Sequence, residues 1–508
     1  MPWEPTNVEK DRLEKLARLE EKGIEPYPLR AERTHTTVEA VAAFEAVEAD
    51  GETAESIEVT VCGRVRRQNI KGKVSFWHIE DGAGRVQLMI RQNDVGPEVY
   101  ELVKTKLIEL DDFVQAKGIM MRTRAGEVTV QVFELKLLAK ALSPLPVIKE
   151  KVDEEGNVVR YGAFKDIETR YRQRYADLAV NPDVREVFRA RARTVSAIRR
   201  FLDDEGFLEV ETPILQPLYG GAAARPFVTY HNQLDQELYL RISFELYLKR
   251  LLVGMYDAVY EIGRDFRNEG VSFKHNPEFT QVEFYKAYID YRGVMEITER
   301  LVAYVAEQVT GSTTITYQGH EIDLRPPWKR WKLRDAIREL AGIDYMDYPE
   351  AEALGAVMRQ KGLEVKPGST WGKLVDELLG KLVEPTLIQP TFILDYPRDI
   401  SPFAKMVPGD DRHVERFEFF IGGMEMGNAF TELNDPRDQE ARFLEMGRLY
   451  EADDEEAAPM DEDYLRAMRY GMPPNGGWGM GVDRLVMLLT DQHSIRDVLL
   501  YPHMREKE

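Results

Sequence analysis

Residues 259–285 constrain the fold of this chain more than any other segment. Both ends of the segment carry β-branched and aromatic residues with a period of two, which is typical of half-buried β-strands. The middle is polar and contains Gly270, Asn276 and Pro277, residue types that favour turns. The pattern therefore predicts two antiparallel strands joined by a polar loop.

Strand alternation gathers charged and aromatic side chains on shared faces. Asp265 and Arg267 share a face of the first strand. The corresponding face of the second strand carries Phe279, Gln281, Glu283 and Tyr285. An arginine at a strand exit beside carboxylates can hold an anionic phosphate next to a cationic ligand. The same residues also fit an ordinary strand pair with a charged face in solvent, and from these residues both interpretations stay open.

A resemblance favours the first interpretation. The sequence Phe-Arg-Asn-Glu at 266–269, followed by Lys-His-Asn-Pro-Glu-Phe-Thr at 274–280, resembles motif 2 of the class II aminoacyl-tRNA synthetases. Within that class it is most similar to the lysyl enzymes of bacterial type. The family carries one further motif on each side of motif 2, so the resemblance implies two more matching segments.

Both segments are present. An amphipathic helix over 187–204, followed by a strand that ends at Pro213, resembles motif 1, which builds the dimer interface in this class. A glycine-rich strand that leads into a helix with Arg484 in its first turn resembles motif 3. A dinucleotide-binding fingerprint does not fit there, because Val482 stands where that pattern requires glycine. Trp478 replaces the aliphatic residue that the family pattern favours, which leaves the pocket shape at that point open.

The rest of the chain divides into segments of different character. Residues 57–142 contain short β-runs with a helix after the third, the pattern of an OB-type barrel. A helical extension over 1–56 precedes them, and a polar linker with a small hairpin follows over 143–180. We expect the catalytic domain over 181–505, with a mostly helical insertion over 318–385. The predicted fold class is multidomain α+β, with an N-terminal OB-fold β-barrel and a class II synthetase catalytic domain whose antiparallel sheet is flanked by helices.

Composition narrows the class of protein. With 508 residues, 43% of them apolar and 31% charged, the chain is long enough for several domains with cores of their own. Its single cysteine, Cys62, excludes an intramolecular disulfide and a paired-cysteine zinc site. We find no apolar run long enough to span a membrane and no secretion signal at the start, so we expect a cytoplasmic protein. The net charge of -21 still permits RNA binding through a local basic patch.

The resemblance implies ATP-dependent activation of an amino acid and its transfer to the 3′ end of a tRNA. The attacking carboxylate is already ionised, so the protein supplies position and positive charge but no nucleophile or base. By the resemblance, Arg267 bridges that carboxylate and the α-phosphate of ATP, and Arg484 meets the γ-phosphate. Glu269, His275 and Phe279 hold the adenine end, with the Phe279 ring stacked on the base.

A predicted hairpin over 417–432, turned at 422–423, supplies the metal ligands. It brings Glu418 and Glu425 onto facing strands, and a pair of carboxylates suits Mg²⁺. By the resemblance, Glu418 also belongs to the ATP site. Glu425 joins the face of the other site residues only if a bulge lies near Gly427. A pair of surface carboxylates without a metal is the alternative.

Acidic residues predict which amino acid is activated. Glu283 and Glu432 fall on strand faces that line one pocket, and two carboxylates around a narrow slot suit an ammonium group. The residues around them are Tyr285, Asn428 and Phe430. By the resemblance, Glu245 and Gly221 hold the α-amino group of lysine. The sister enzymes for aspartate or asparagine are the runner-up, and they require a positive or amide group in place of these acids.

Two residues of the OB-type segment are predicted to read the tRNA. Phe76 and Gln87 lie on adjacent strands, where a ring can stack on a base and an amide can bond its edge. The resemblance assigns such a pair to the anticodon. A place in the barrel core is the alternative for Phe76.

The predicted partners are lysine, ATP, Mg²⁺, a lysine-specific tRNA and a second copy of the chain, bound through the motif 1 region. Two further interpretations stay open. One is a paralogue that lysylates a protein, which we expect to lack the OB segment. The other is a non-enzymatic OB protein with a degenerate partner domain.

Overall fold

A computed structural model describes residues 3–49, 57–146, 148–152, 158–162, 164, 166–449 and 460–505. The chain forms two compact units, Met1–Lys165 and Asp166–Glu508. Among the residues described, no helix is both long enough and apolar enough to cross a membrane.

The first unit is a five-stranded barrel with helices packed on it. Its strands are β1 Glu58–Lys71, β2 Val74–Glu80, β3 Arg85–Arg91, β4 Phe113–Arg122 and β5 Val128–Ala139. Its helices are α1 Asn7–Glu21, α2 Thr37–Ala49, α3 Gln92–Val95 and α4 Pro97–Lys104. The strands pair in the order β1-β2-β3-β5-β4, with β3 and β5 parallel, and β4 pairs back with β1. The predicted OB-type topology is confirmed, and a hairpin of β6 Ile148–Val152 and β7 Val158–Gly162 follows it.

The two N-terminal helices share the core of the barrel. The Thr6 side chain caps α1, and the Glu9 carboxylate accepts from the Thr6 backbone N–H, which completes a capping box. Leu19 from α1 is buried in the same apolar cluster as the barrel strands, together with Ala40 and Phe44 from α2. The helical extension is therefore part of the barrel unit.

The second unit has thirteen described strands, and eight of them form its main sheet. Its strands are β8 Leu208–Glu209, β9 Leu215–Gln216, β10 Val228–His231, β11 Gln236–Leu240, β12 Ala258–Phe266, β13 Glu278–Ala287, β14 Thr314–Tyr317, β15 His320–Asp323, β16 Lys329–Lys332, β17 Thr391–Pro397, β18 His413–Ile421, β19 Met424–Thr431 and β20 Asn475–Gly481. The main sheet has the order β16-β17-β18-β19-β20-β13-β12-β8, antiparallel except where β16 pairs with β17 and β12 with β8. Strands β9, β10 and β11 form one small sheet, and β14 and β15 form another.

Helices surround this sheet. They are α5 Ile167–Arg172, α6 Arg174–Val180, α7 Pro182–Asp204, α8 Glu245–Val253, α9 Tyr291–Thr310, α10 Leu333–Ala341, α11 Ala351–Gln360, α12 Trp371–Leu378, α13 Pro436–Leu449, α14 Glu462–Arg469 and α15 Val482–Leu489. The predicted helix over 187–204 lies inside α7, and the predicted glycine-rich strand and helix are β20 and α15.

Aromatic rings fill the core beneath one face of the sheet. The Trp478 ring from β20 lies 4.8 Å from the ring of Phe284 and 6.1 Å from that of Phe419, stacked on both. Because side chains alternate along a strand, Gly477 and Gly479 face the opposite side. Trp478 therefore belongs to the core, and glycines border the other face of the sheet.

The second unit begins earlier than the sequence predicts. Residues 166–180, which the sequence predicts to belong to the linker, include α5 and α6 of this unit. The buried Arg174 guanidinium donates to the carbonyls of Arg496, Leu499 and Leu500. These helices are rich in polar residues, as a linker is. In the structure their charged side chains are satisfied by hydrogen bonds to distant residues, which the sequence does not reveal.

The helical insertion begins later than the sequence predicts. Within the predicted range of 318–385, residues 320–323 and 329–332 are strands, and the helices start at Leu333. Strand β16 joins the edge of the main sheet, parallel to β17. Three of its four residues are cationic, so it carries no apolar alternation from which a strand could be predicted.

Candidate active site

The strand pair β12 and β13 forms as predicted, and candidate site residues on it are buried. Its register sets Gly263 opposite Gln281. Glu283 and Tyr285 are each only 3% exposed, and both line a cavity. The alternative of a charged face in solvent is therefore wrong.

The hairpin of β18 and β19 also forms as predicted. Its turn glycines, Gly422 and Gly423, have φ of 65° and 73°, which suits a two-residue turn that needs positive φ at both positions. The register between the strands shifts by one residue beside Gly427. This bulge turns Glu425 toward the cavity that Asn428 lines, as parity requires.

A first cavity, of about 230 Å³, lies beside the loop after β12 and the start of α15. Site residues predicted from the sequence that line it are Arg267, Glu269, His275, Phe279, Glu425, Asn428 and Arg484. The Arg267 guanidinium lies 5.1 Å from the centre of the Phe279 ring. Glu418, which the resemblance assigns to ATP, lines the neighbouring cavity instead.

Arg484 projects from the first turn of α15 and has two partners in this cavity. Its Nη1 donates to Oε2 of Glu425 at 3.0 Å, and its Nη2 lies 3.3 Å from Nε2 of His275. Burial, together with the nearby Arg484, lowers the pKa of His275 to about 4. The imidazole is therefore neutral at neutral pH and offers a hydrogen-bonding group without adding charge.

A second cavity, of about 480 Å³, adjoins the first. Residues that line both are Arg267, Gln281, Glu425, Asn428 and Gly479. Other predicted site residues that line the second are Gly221, Glu245, Glu283, Tyr285, Glu418 and Phe430. Gly221 has a φ of 87°, and a Cβ on it would lie 2.9 Å from Cβ of Glu245, so this close approach requires glycine.

Glu283 lines the second cavity and accepts hydrogen bonds from three donors. The Ser243 hydroxyl and the Gln281 amide donate to Oε1 at 2.9 Å each, and the Tyr285 hydroxyl donates to Oε2 at 3.2 Å. Burial raises the pKa of Glu283 well above its usual range, and neighbouring carboxylates add to the shift. No cation contacts this carboxylate among the residues described, so a cationic ligand would stabilise its charged form.

Glu432, which the sequence predicts to line the same pocket as Glu283, is fully buried and does not belong to the lining of either cavity. It shares a buried lysine with Glu245. Nζ of Lys249 lies 2.6 Å from Oε1 of Glu245 and 2.6 Å from Oε2 of Glu432. Burial raises the pKa of Glu245, and it raises the pKa of Glu432 to about 8. Sequence reasoning missed Lys249, although its position four residues after Glu245 on a helix is a signal for an ion pair. With Glu283, this group of side chains holds three carboxylates and one ammonium, an acidic excess that a cationic ligand can offset.

Glu418 and Glu425 have the chemistry of a divalent-cation site. Arg416 donates to Oε1 of Glu418 at 2.6 Å, and the Tyr396 hydroxyl donates to Oε2 at 3.0 Å. Burial raises the pKa of Glu418 to about 8; Arg416 opposes this shift and Glu425 adds to it. Within the described part of the chain, no three acidic, histidine or cysteine side chains form a metal cage. A Mg²⁺ ion held here would therefore take its remaining ligands from phosphate and water.

Phe76 and Gln87 line a separate cavity, of about 610 Å³, on the barrel unit. His78 pairs with Gln87 across β2 and β3, which makes Phe76 and Gln87 diagonal neighbours on one face. Phe76 is half-buried and faces this cavity, not the barrel core. Gln87 donates to Glu127 and accepts from Thr129, so its amide orientation is fixed.

Known proteins resemble both units. The family model for class II tRNA synthetases (D, K and N) matches residues 166–505, and the model for the OB-fold nucleic acid binding domain matches residues 59–138. A lysine–tRNA ligase of Chloroflexus aurantiacus is 52% identical over 505 residues, which is 99% of each chain. That of Roseiflexus castenholzii is 52% identical over 99% of this chain and 100% of its own. That of Bacillus subtilis is 47% identical over 98% of this chain and 97% of its own.

Proposed function

The chain belongs to the lysine–tRNA ligases of the class II tRNA synthetase family, and we propose that its two adjoining cavities hold ATP and lysine on either side of Arg267. The enzyme activates L-lysine with ATP, releases pyrophosphate and transfers the lysyl group to the 3′ end of tRNA. The observation that carries the proposal is that Arg267 lines both cavities. The first also contains Phe279 and Arg484, which suit a base and a phosphate, and the second contains the carboxylates of Glu245 and Glu283.

The nucleotide occupies the first cavity in this proposal. Adenine stacks on Phe279, with Glu269 and the neutral His275 at its edge. Arg484 binds the γ-phosphate. Arg267 draws the lysine carboxylate and the α-phosphate together and offsets the charge that develops as the carboxylate attacks in line. No base is needed, because the carboxylate is ionised at neutral pH.

Lysine occupies the second cavity. Its ε-ammonium meets Glu283 and Glu432, and its α-amino group meets Glu245 beside Gly221. Tyr285, Asn428 and Phe430 shape the slot between these ends. The raised pKa values of the acids support this proposal, since carboxylates buried without enough positive charge favour a ligand that brings it.

Glu418 and Glu425 hold Mg²⁺ in the proposal. The ion, when bound, neutralises charge on the phosphates and on the pyrophosphate that leaves. The donors fit because Mg²⁺ in nucleotide sites takes one or two carboxylates and completes its shell with phosphate oxygens and water.

Three further proposals concern partners and place. A homodimer forms through the motif 1 region, and the exposed side chains of Leu208 within it and of Leu215 and Leu218 just after it, at 46%, 48% and 40%, are available to a partner surface. Phe76 and Gln87 read the anticodon of a lysine-specific tRNA. The enzyme acts in the cytoplasm, where ATP and tRNA are available.

The test is a crystal structure with a non-hydrolysable lysyl-adenylate analogue. We expect the phosphate surrogate within hydrogen-bond distance of Arg267 and the ε-ammonium within that distance of Glu283 or Glu432. An analogue bound with its lysyl end beside Phe279 and Arg484 would overturn the assignment.

A further inference from the structure

Lys249 is a buried cation beside the lysine cavity for which the proposed reaction has no role. It stands on α8, and its side chain is fully buried, as is that of its partner Glu432, while its other partner, Glu245, is 5% exposed. Taking three charged groups out of water is costly, and apolar residues that fill the same volume are often neutral or stabilising. A function in the site therefore explains this lysine better than a contribution to stability.

Aromatic rings complete the enclosure of the ammonium. Nζ of Lys249 lies 4.7 Å from the ring centre of Phe403, 5.7 Å from that of Tyr464 and 5.9 Å from that of Tyr285. These contacts favour the charged form. Desolvation alone would lower the pKa of Lys249, but its two carboxylate partners outweigh desolvation and hold that pKa well above the ordinary value. Lys249 is thus a fixed positive charge.

Lys249 donates to Oε2 of Glu432 but not to Oε1. Oε1 of Glu432 has no hydrogen-bond partner among the residues that the structure describes. It lies toward Gly477, a residue of the cavity wall, where an added Cβ would come within 2.0 Å of it. A buried acceptor without a donor is costly, so this oxygen points to a donor that a ligand brings.

We propose that Lys249 is a positioning residue for lysine recognition, whose ammonium fixes the Glu432 carboxylate so that Oε1 faces the cavity and receives an amino group of the substrate. The inference rests on the proposed function, which assigns this cavity to lysine. Lys249 acts through Glu432 and does not itself touch the substrate. It also offsets one of three carboxylate charges, which leaves two for the two amino groups of lysine.

The groups around Glu432 predict the effect of removing Lys249. The ionisable groups that face it are Lys249 and Glu245 from α8, Tyr285 from β13 and Tyr464 from α14. Lys249 alone among them is cationic. Without it, burial and Glu245 raise the pKa of Glu432 further, and a protonated carboxyl is a poor acceptor for an ammonium. Lysine binding then depends more strongly on pH.

The experiment compares full-length wild type with Lys249→Met, a substitution of similar shape that removes the charge. KM for lysine and for ATP are measured by lysine-dependent ATP–pyrophosphate exchange from about pH 6.5 to 9.5. We expect KM for lysine to rise about 10-fold or more near pH 7, with KM for ATP unchanged. The increase should shrink as the pH rises, because Glu432 then ionises without help.

A second variant keeps the test decisive if Lys249→Met folds poorly. In Lys249→Ala, added propylammonium fills the vacated space, and we expect it to lower KM for lysine in this variant but not in the wild type. A folded Lys249→Met with the KM and pH profile of the wild type would overturn the inference. Equal losses for lysine and ATP at every pH, without rescue by the amine, would also overturn it, since that pattern marks a purely structural residue.

Glu432→Gln separates the inference from the function on which it rests. If Glu432→Gln raises KM for lysine while Lys249→Met does not, the inference fails and the cavity assignment stands. If Glu432→Gln leaves KM for lysine unchanged, the cavity assignment fails and the inference fails with it.

Discussion

Arg484 and Glu425, which the proposed mechanism assigns to the γ-phosphate and to Mg²⁺, are bonded to each other. Nη1 of Arg484 donates to Oε2 of Glu425 at 3.0 Å and also to its backbone carbonyl. The pair brings two opposite charges together in the wall of the first cavity. We expect that MgATP, when it binds, separates this pair, so that the Arg484 guanidinium binds a phosphate and the Glu425 carboxylate binds the metal.

Glu425→Gln tests that exchange. The amide cannot replace a carboxylate ligand, so we expect KM for ATP to rise about 10-fold or more and the Mg²⁺ requirement to rise with it. Lysine binding measured without ATP should stay close to wild type. Glu296→Gln, on an exposed position of α9, is the control and should change neither quantity. Unaltered Mg²⁺ dependence in Glu425→Gln would remove this residue from the metal site.

Glu283→Gln and Glu432→Gln test the lysine assignment. Loss of one partner of a buried charge pair typically costs about 3–5 kcal/mol, so we expect KM for lysine to rise by two orders of magnitude or more. KM for ATP should change little, because both residues lie outside the nucleotide cavity. Exchange kinetics with each substrate varied in turn provide the measurement. Equal losses for ATP and lysine would count against this pocket.

Lysine affinity should depend on pH. The pKa of Glu432 is raised to about 8 and that of Glu283 well above its usual range, so the free site holds protons at neutral pH. An ammonium binds the ionised form and lowers these pKa values, so affinity should rise from about pH 6 to 8 and binding should release protons. Calorimetric titration with lysine in buffers of different ionisation enthalpy measures both. Proton uptake on binding, or affinity that does not vary with pH, would contradict the expectation.

Gly477→Ala should block the lysine cavity. A Cβ there would lie 2.0 Å from Oε1 of Glu432 and 2.4 Å from Cε1 of Tyr285, closer than any packing allows. We expect kcat/KM for lysine to fall by about 100-fold or more, since small misplacements at a reacting site cost that much. Binding of a non-hydrolysable ATP analogue should remain. Gly82→Ala, where a Cβ meets no atom within 4 Å, is the control and should behave as wild type.

Phe76→Ala should separate activation from transfer. Stacking of a base on an aromatic ring contributes about 1–3 kcal/mol, so kcat/KM for tRNA in lysine attachment should fall about 10- to 100-fold. Lysine-dependent pyrophosphate exchange without tRNA should be unchanged. Phe133→Ala removes a ring that is 37% exposed but outside the Phe76 cavity, and it should affect neither reaction. Equal effects of the two substitutions would argue against a base stacked on Phe76.

Local patterns in the sequence predicted the strands and the bulge that carry the candidate site, but they did not reveal its long-range pairings. Period-two alternation predicted β12 and β13, and parity alone required the bulge that brings Glu425 into line. The bond between Lys249 and Glu432 spans 183 positions, and nothing near either residue indicates it. Arg174 likewise finds its carbonyl partners more than 320 positions away, so its helix resembles a linker in the sequence.

The most direct measurement is ATP–pyrophosphate exchange without tRNA, with each standard amino acid supplied in turn. We expect exchange with lysine alone, because the cavity beside Arg267 carries carboxylates that suit two amino groups. Exchange with aspartate or asparagine would keep the fold but contradict the role of Glu283 and Glu432. Exchange with none of the amino acids would contradict activation in these two cavities.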